Sequence, residues 1–131
     1  MTRIDSAEAL AATATGLLER LVAIDTTSRL SNLALIEMVE GLLAPLGVSA
    51  TRVVDPGGAK ANLYATIGPM VEGGVVLSGH TDVVPVDGQP WSSDPFTVTR
   101  RGDRLYGRGT CDMKGFLALA LAAAPLYAER G

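Results

Sequence analysis

The apolar positions fall into runs of different period, and each run predicts an element. Leu10, Ala14, Leu17, Leu18 and Leu21 recur at helical spacing behind the capping-box pattern Asp5-Ser6-Ala7-Glu8, which predicts an amphipathic helix over Ser6–Ala23. Ser31 or Asn32 is placed to cap a second helix, whose apolar face is Ile36, Val39, Leu43 and Leu46. Gly47 should end that helix, with a bend or fraying at Pro45, which removes an amide donor and crowds the preceding turn. Val48–Val54 and Asn62–Ile67, joined by Asp55-Pro56-Gly57-Gly58, predict two pairing strands. The β-branched run Val75-Val76-Leu77-Ser78, after two glycines, predicts a buried central strand. Phe96–Thr99 and Arg104–Tyr106 flank a glycine-containing turn and predict a hairpin. From Met113 to Ala124 nearly every position is apolar, as in a helix buried against a sheet. Pro125 should end it or open a further short helix.

Strands between helices indicate an α/β fold, and the candidate chemistry lies at the end of the central strand. Ligands in such folds sit outside the carboxyl ends of strands, where Gly79-His80-Thr81-Asp82 runs into a proline-bearing loop. Residues two apart in extended backbone project to one side, so His80 and Asp82 can face one site, the carboxylate orienting the imidazole. Asp112 follows in a second loop, where Gly107, Gly109 and Gly115 permit close backbone approach. His80 and Asp112 are candidate metal ligands, two of the about three protein ligands a catalytic zinc needs.

Composition narrows the partners. A net charge of −3 offers no general attraction for nucleic acid, and 47% hydrophobic with 19% charged residues is ordinary for a folded domain. No uninterrupted apolar run reaches membrane-span length, so no membrane partner is expected. One cysteine makes no internal disulfide, and the first ten residues lack a signal-peptide pattern, which points to the cytoplasm. Cys111 beside Asp112 is expected to be a small buried thiol under the loop. Trp91 is expected to pin the long loop of residues 84–96 onto the sheet or, less simply, to line a substrate cleft. Arg100, Arg101 and Arg104 should mark a solvated hairpin tip, with Arg108 nearer the site. Lys114 should face solvent or pair with a site carboxylate.

The blocks SGHTDVVPV, WSSDPF and LYGRGTCDMKGF, in this order, resemble the amino-terminal signature of the two-metal zinc aminoacylase and exopeptidase family. The likeness spans nearly all of residues 10–131. It implies a three-layer α/β sandwich with a mixed, mostly parallel sheet flanked by helices, and two zinc ions, replaceable by cobalt. His80 would bind one ion, Asp112 would bridge both, and Asp82, the catalytic-site residue, would orient His80. A cis peptide is implied at Asp112-Met113. The activity implied is removal of an N-acyl group from a small-molecule amino acid. Cys111, Phe116 and the run IDTTSRLSNLALIE favour N-acetylornithine, giving ornithine for arginine biosynthesis. A desuccinylase-like or other aminoacylase or peptidase activity is the alternative within the family, and a non-catalytic binding module with a partial metal site is the alternative outside it. Residues 1–131 would form the amino-terminal part of the catalytic domain. The general base, the remaining ligands and any region making a homodimer would lie downstream, so this piece alone should be inactive.

Overall fold

The computed structural model describes residues 6–130, and Asp5 of the capping-box pattern lies outside them. Helix α1 spans Ala7–Ala23, with Ser6 at its amino end accepting a hydrogen bond from the amide of Ala9. Helix α2 spans Leu33–Leu43 and tightens through Pro45 into a single 3-10 turn, Ala44–Leu46. Gly47 closes that turn in the left-handed region, φ 71°, so the helix stops where Pro45 removes a donor. Asn32 stands at the α2 amino end without capping it by its side chain; Ser31 accepts from the amide of Leu33 instead.

Strands β1 (Ala50–Val54) and β2 (Ala61–Ala65) pair antiparallel, with Ala50 opposite Ala65 and Val54 opposite Ala61. Strands β3 (Thr99–Arg101) and β4 (Arg104–Tyr106) form a hairpin whose two-residue loop begins at Gly102, φ 63°. Helix α3 spans Gly115–Arg130 and continues through Pro125, contrary to the helix end expected there. Only the carbonyl of Leu121 loses its helical donor, a cost confined to one bond. By length and composition alone Thr110–Arg130 is long and apolar enough to cross a membrane, a test that the core helix of a folded domain also meets. Here the helix packs on α1, and Ala118 and Ala122 join Ala14, Leu17, Leu18, Leu21, Val22 and Leu35 in the core. Leu21 and Val22 are fully buried, each contributing about 1.5–3 kcal/mol. Small alanines on α3 let the two helices approach while the leucines of α1 fill the space between.

The fold is a mixture of helices and strands, but the described residues hold two separate two-stranded antiparallel sheets and no central parallel one. One parallel contact exists, a bridge between Thr27 and Val83. Val75–Ser78, expected as the buried central strand, makes no ladder bonds, and Val75 and Val76 are 87% and 78% exposed. A β-branched run becomes a strand only where neighbours meet its amides and carbonyls, and none does so here. An open trough of about 1770 Å³ lies between this segment, β2, and the apolar sides of α2 and α3.

Candidate functional site

The site is built at a seam between two loops and the segment that leaves α1. Residues Asp25–Ser28 run beside Thr81–Val83. Thr26 Oγ1 donates to the Thr81 carbonyl at 2.6 Å, the Val83 amide donates to the Thr26 carbonyl at 3.1 Å, and the Ser28 amide donates to the Val83 carbonyl at 3.0 Å. Asp25 accepts from both the amide and the hydroxyl of Thr27, which fixes the turn. Asn32 adds a cross-link: its amide group bonds both backbone groups of Ala61 and donates to Thr81 Oγ1 at 2.9 Å. Val83 is 3% exposed and anchors this segment below the site. Gly79 allows the chain to press onto α3, since a Cβ there would stand 2.7 Å from a Leu117 methyl and 3.1 Å from the Met113 methyl.

The second loop, Gly107–Gly115, reaches the same place from the other side. Gly109 has φ +81°, and a Cβ would fall 2.6 Å from a Val83 methyl. A wide turn over Thr110–Lys114 then carries Asp112, with a cis peptide between Asp112 and Met113. His80 Nε2 lies 2.8 Å from Asp112 Oδ1. The two sequence-distant candidates therefore converge. His80 Nδ1 lies 3.0 Å from the Asp82 backbone carbonyl, which accepts its hydrogen bond, and 3.2 Å from the Asp82 carboxylate. Asp82 thus contacts the ring, but the bond runs mainly to its carbonyl rather than to the carboxylate expected from the sequence. The second carboxylate oxygen accepts from Ser28 Oγ at 2.8 Å.

These contacts set the electrostatics. The Asp112 hydrogen bond holds the His80 imidazole above its ordinary pKa, with burial opposing. The Ser28 hydroxyl holds the Asp82 carboxyl below the ordinary range, again against burial, with His80 adding to the effect. The side chains of His80 and Asp112 are 46% and 86% exposed, so water and further ligands can reach both. Among the described residues no three His, Cys, Asp or Glu side chains gather around one point, and His80, Asp82 and Asp112 form a chain rather than a cage. The donor set nevertheless suits a cation. His80 Nε2 and Asp112 Oδ1, 2.8 Å apart and both open to solvent, are the two donors that would hold it.

Other expectations change. Cys111 is exposed, not packed under the loop, because the turn presents its side chain outward. Lys114 neither faces solvent nor pairs with a site carboxylate. It is fully buried, its ammonium donates to the carbonyls of Leu21 and Ile24, and burial pushes its pKa down to about 8, with Asp25 opposing. Trp91 stacks under the Arg108 guanidinium, 5.1 Å from its ring centre, and both donate to Gln89, so the long loop is pinned by an arginine rather than by a sheet. Ser28 and Asn32 join the site without a motif to mark them; their signal in the sequence is the density of hydroxyl and amide side chains in IDTTSRLSN, more than a turn requires.

Residues 76–131, which include His80, Asp82 and Asp112, match the family described as Peptidase family M20/M25/M40. The chain is 45% identical over 102 residues to the acetylornithine deacetylase of Proteus mirabilis, an alignment covering 77% of this chain and 26% of that protein. Its identity to the acetylornithine deacetylase of Pectobacterium carotovorum is 44% over 102 residues, again 77% and 26% of the two chains. With that of Salmonella paratyphi B it is 45% over 94 residues, 71% and 24%. The resemblance carried by the histidine and glycine-rich blocks is thus to these proteins, and the chain spans about a quarter of their length.

Proposed function

We propose that this chain is the amino-terminal part of a two-metal amidohydrolase that removes the acetyl group from N-acetylornithine. The observation that carries the reading is the 2.8 Å approach of His80 Nε2 to Asp112 Oδ1, made by two loops 32 residues apart. In this reading His80 and Asp112 would be the residues of this chain that hold the zinc ions, His80 as ligand of one and Asp112 shared between two, with cobalt as a working substitute. When bound, the metal supplies Lewis acidity, polarising the acyl carbonyl and lowering the pKa of water toward 7. The chain's own residues prepare the ligands. The Asp82 carbonyl accepts a hydrogen bond from Nδ1–H, which holds the tautomer whose Nε2 would be free for metal, the adjacent carboxylate adds charge that favours that tautomer, and Ser28 keeps the carboxylate in place. Both ligands are exposed enough for an N-acyl amino acid to approach.

The general base and the further ligands belong to downstream sequence, and so does any dimer contact. The complete catalytic domain is a three-layer sandwich in a cytoplasmic enzyme, with Val75–Ser78 as a strand of its mostly parallel sheet. Residues 1–131 alone are therefore inactive. The test is hydrolysis of N-acetylornithine, with zinc or cobalt added, by a protein carrying this chain at the length of its relatives. Turnover is expected, lost in His80→Ala and Asp112→Ala. Cleavage of a succinylated substrate in preference would move the protein to another branch. Comparable turnover by residues 1–131 alone would refute the incomplete site.

A further inference from the structure

Lys114 is the one ionisable side chain wholly removed from solvent among the described residues. Burying an ammonium is costly unless its donors are met, and here two are, by the carbonyls of Leu21 at 2.8 Å and Ile24 at 2.7 Å. These carbonyls lie at the carboxyl end of α1, which carries the helix's negative pole, and Leu21 takes the Lys114 bond in addition to the capping one from the Ile24 amide at 3.3 Å. At 0% exposure the ammonium cannot touch a substrate. It does, however, join parts of the chain 90 or more residues apart.

What it joins is specific. Lys114 stands two residues after Asp112, and its own amide donates to the Gly109 carbonyl at 2.8 Å, closing the turn that presents the carboxylate. On the other side, α1 passes through Ile24 directly into Asp25–Ser28, the segment that holds Thr81–Val83 and the Asp82 carboxylate. The His80 loop and the Asp112 turn thus hang from one stretch, residues 21–28, the first through Thr26 and Ser28 and the second through Lys114. We infer that Lys114 is a positioning residue that sets the spacing of His80 and Asp112 by fixing the Asp112 turn to the end of α1.

The inference rests on the metal-site reading, and the experiment separates the two. Co²⁺ binding by the whole protein, followed by visible absorption, is compared for the unsubstituted chain and Lys114→Met. K114M is expected to keep its far-ultraviolet circular dichroism while losing about 10–100-fold in Co²⁺ affinity, the range for residues that orient ligands, with displaced absorption bands. Unchanged affinity and bands in folded K114M would overturn the role. If K114M does not fold, Lys114→Gln, which keeps an uncharged NH2 group able to donate, is read the same way. If the unsubstituted protein takes up no Co²⁺, the metal reading fails by itself. The His80–Asp112 contact is then followed through the His80 imidazole nitrogen signals, assigned by their loss in His80→Ala. Displaced signals in the Lys114 variant uphold the positioning role, and coincident ones overturn it.

Discussion

Two stretches meet at His80 and differ in how they are held. Downstream, Thr81–Val83 is bonded to Thr26, Ser28 and Asn32, and Val83 is buried. Upstream, Val75–Ser78 is more apolar yet lies exposed and unpaired. Apolar character therefore does not decide which stretch is ordered against the rest. What decides it is whether the backbone groups find partners, and the hydroxyl-rich segment after α1 supplies them on one side only. The site takes its position from the anchored side, so its geometry does not wait on a completed sheet.

The largest effect should separate the two sides by stability. In residues 1–131, Leu21→Ala, at a fully buried position of the helix pair, is expected to cost about 2–5 kcal/mol, whereas Val76→Ala on the open side should stay within about 0.5 kcal/mol. Urea unfolding of both variants measures the contrast, and equal costs would abolish it. Next comes Asn32→Ala, which strips Ala61 and Thr81 of three hydrogen bonds at once. A loss of about 2–3 kcal/mol is expected, with partly buried groups left unpaired; a neutral substitution would show that solvent replaces the cross-link. Ser28→Ala should cost no more than about 1 kcal/mol in stability yet weaken Co²⁺ binding about tenfold, since it frees the Asp82 carboxylate beside His80. Equal metal affinity in Ser28→Ala and the parent would remove Ser28 from the site.

The helices and both hairpins were legible because each rests on local signals, period and turn residues, whereas the cap falls at Ser6, one residue later than the Asp5–Glu8 pattern places it. His80 and Asp112 were legible as chemistry, and their meeting follows from glycines that permit close approach at residues 79 and 109. The open state of Val75–Ser78 was not, because a buried strand and an unpartnered one share the same residues and differ only in what lies alongside. Nor was the burial of Lys114. A lysine in a helix's first turn reads as solvated, and its two acceptors lie 90 and 93 residues away. Long-range pairing of a polar group with backbone carbonyls leaves no periodic trace in the sequence.

The smallest effect lies away from both stretches, at the contact of α2 with β1. Arg52 donates to both oxygens of Glu40, and this hydrogen bonding, helped by the charge of the guanidinium, holds the Glu40 carboxyl below its ordinary value near 4.5. A carboxyl whose folded-state pKa is depressed contributes stability above its unfolded value and loses it as pH falls through the folded one. Unfolding midpoints in urea should therefore decline between about pH 5 and pH 3 by a share belonging to this pair, small because both groups reach solvent and salt screens them. Glu40→Gln should flatten that share while leaving the midpoint at pH 7 slightly lower, and added salt should shrink the difference between parent and variant. An unchanged acid slope in Glu40→Gln would mean that the Arg52–Glu40 pair contributes nothing to holding β1 against α2.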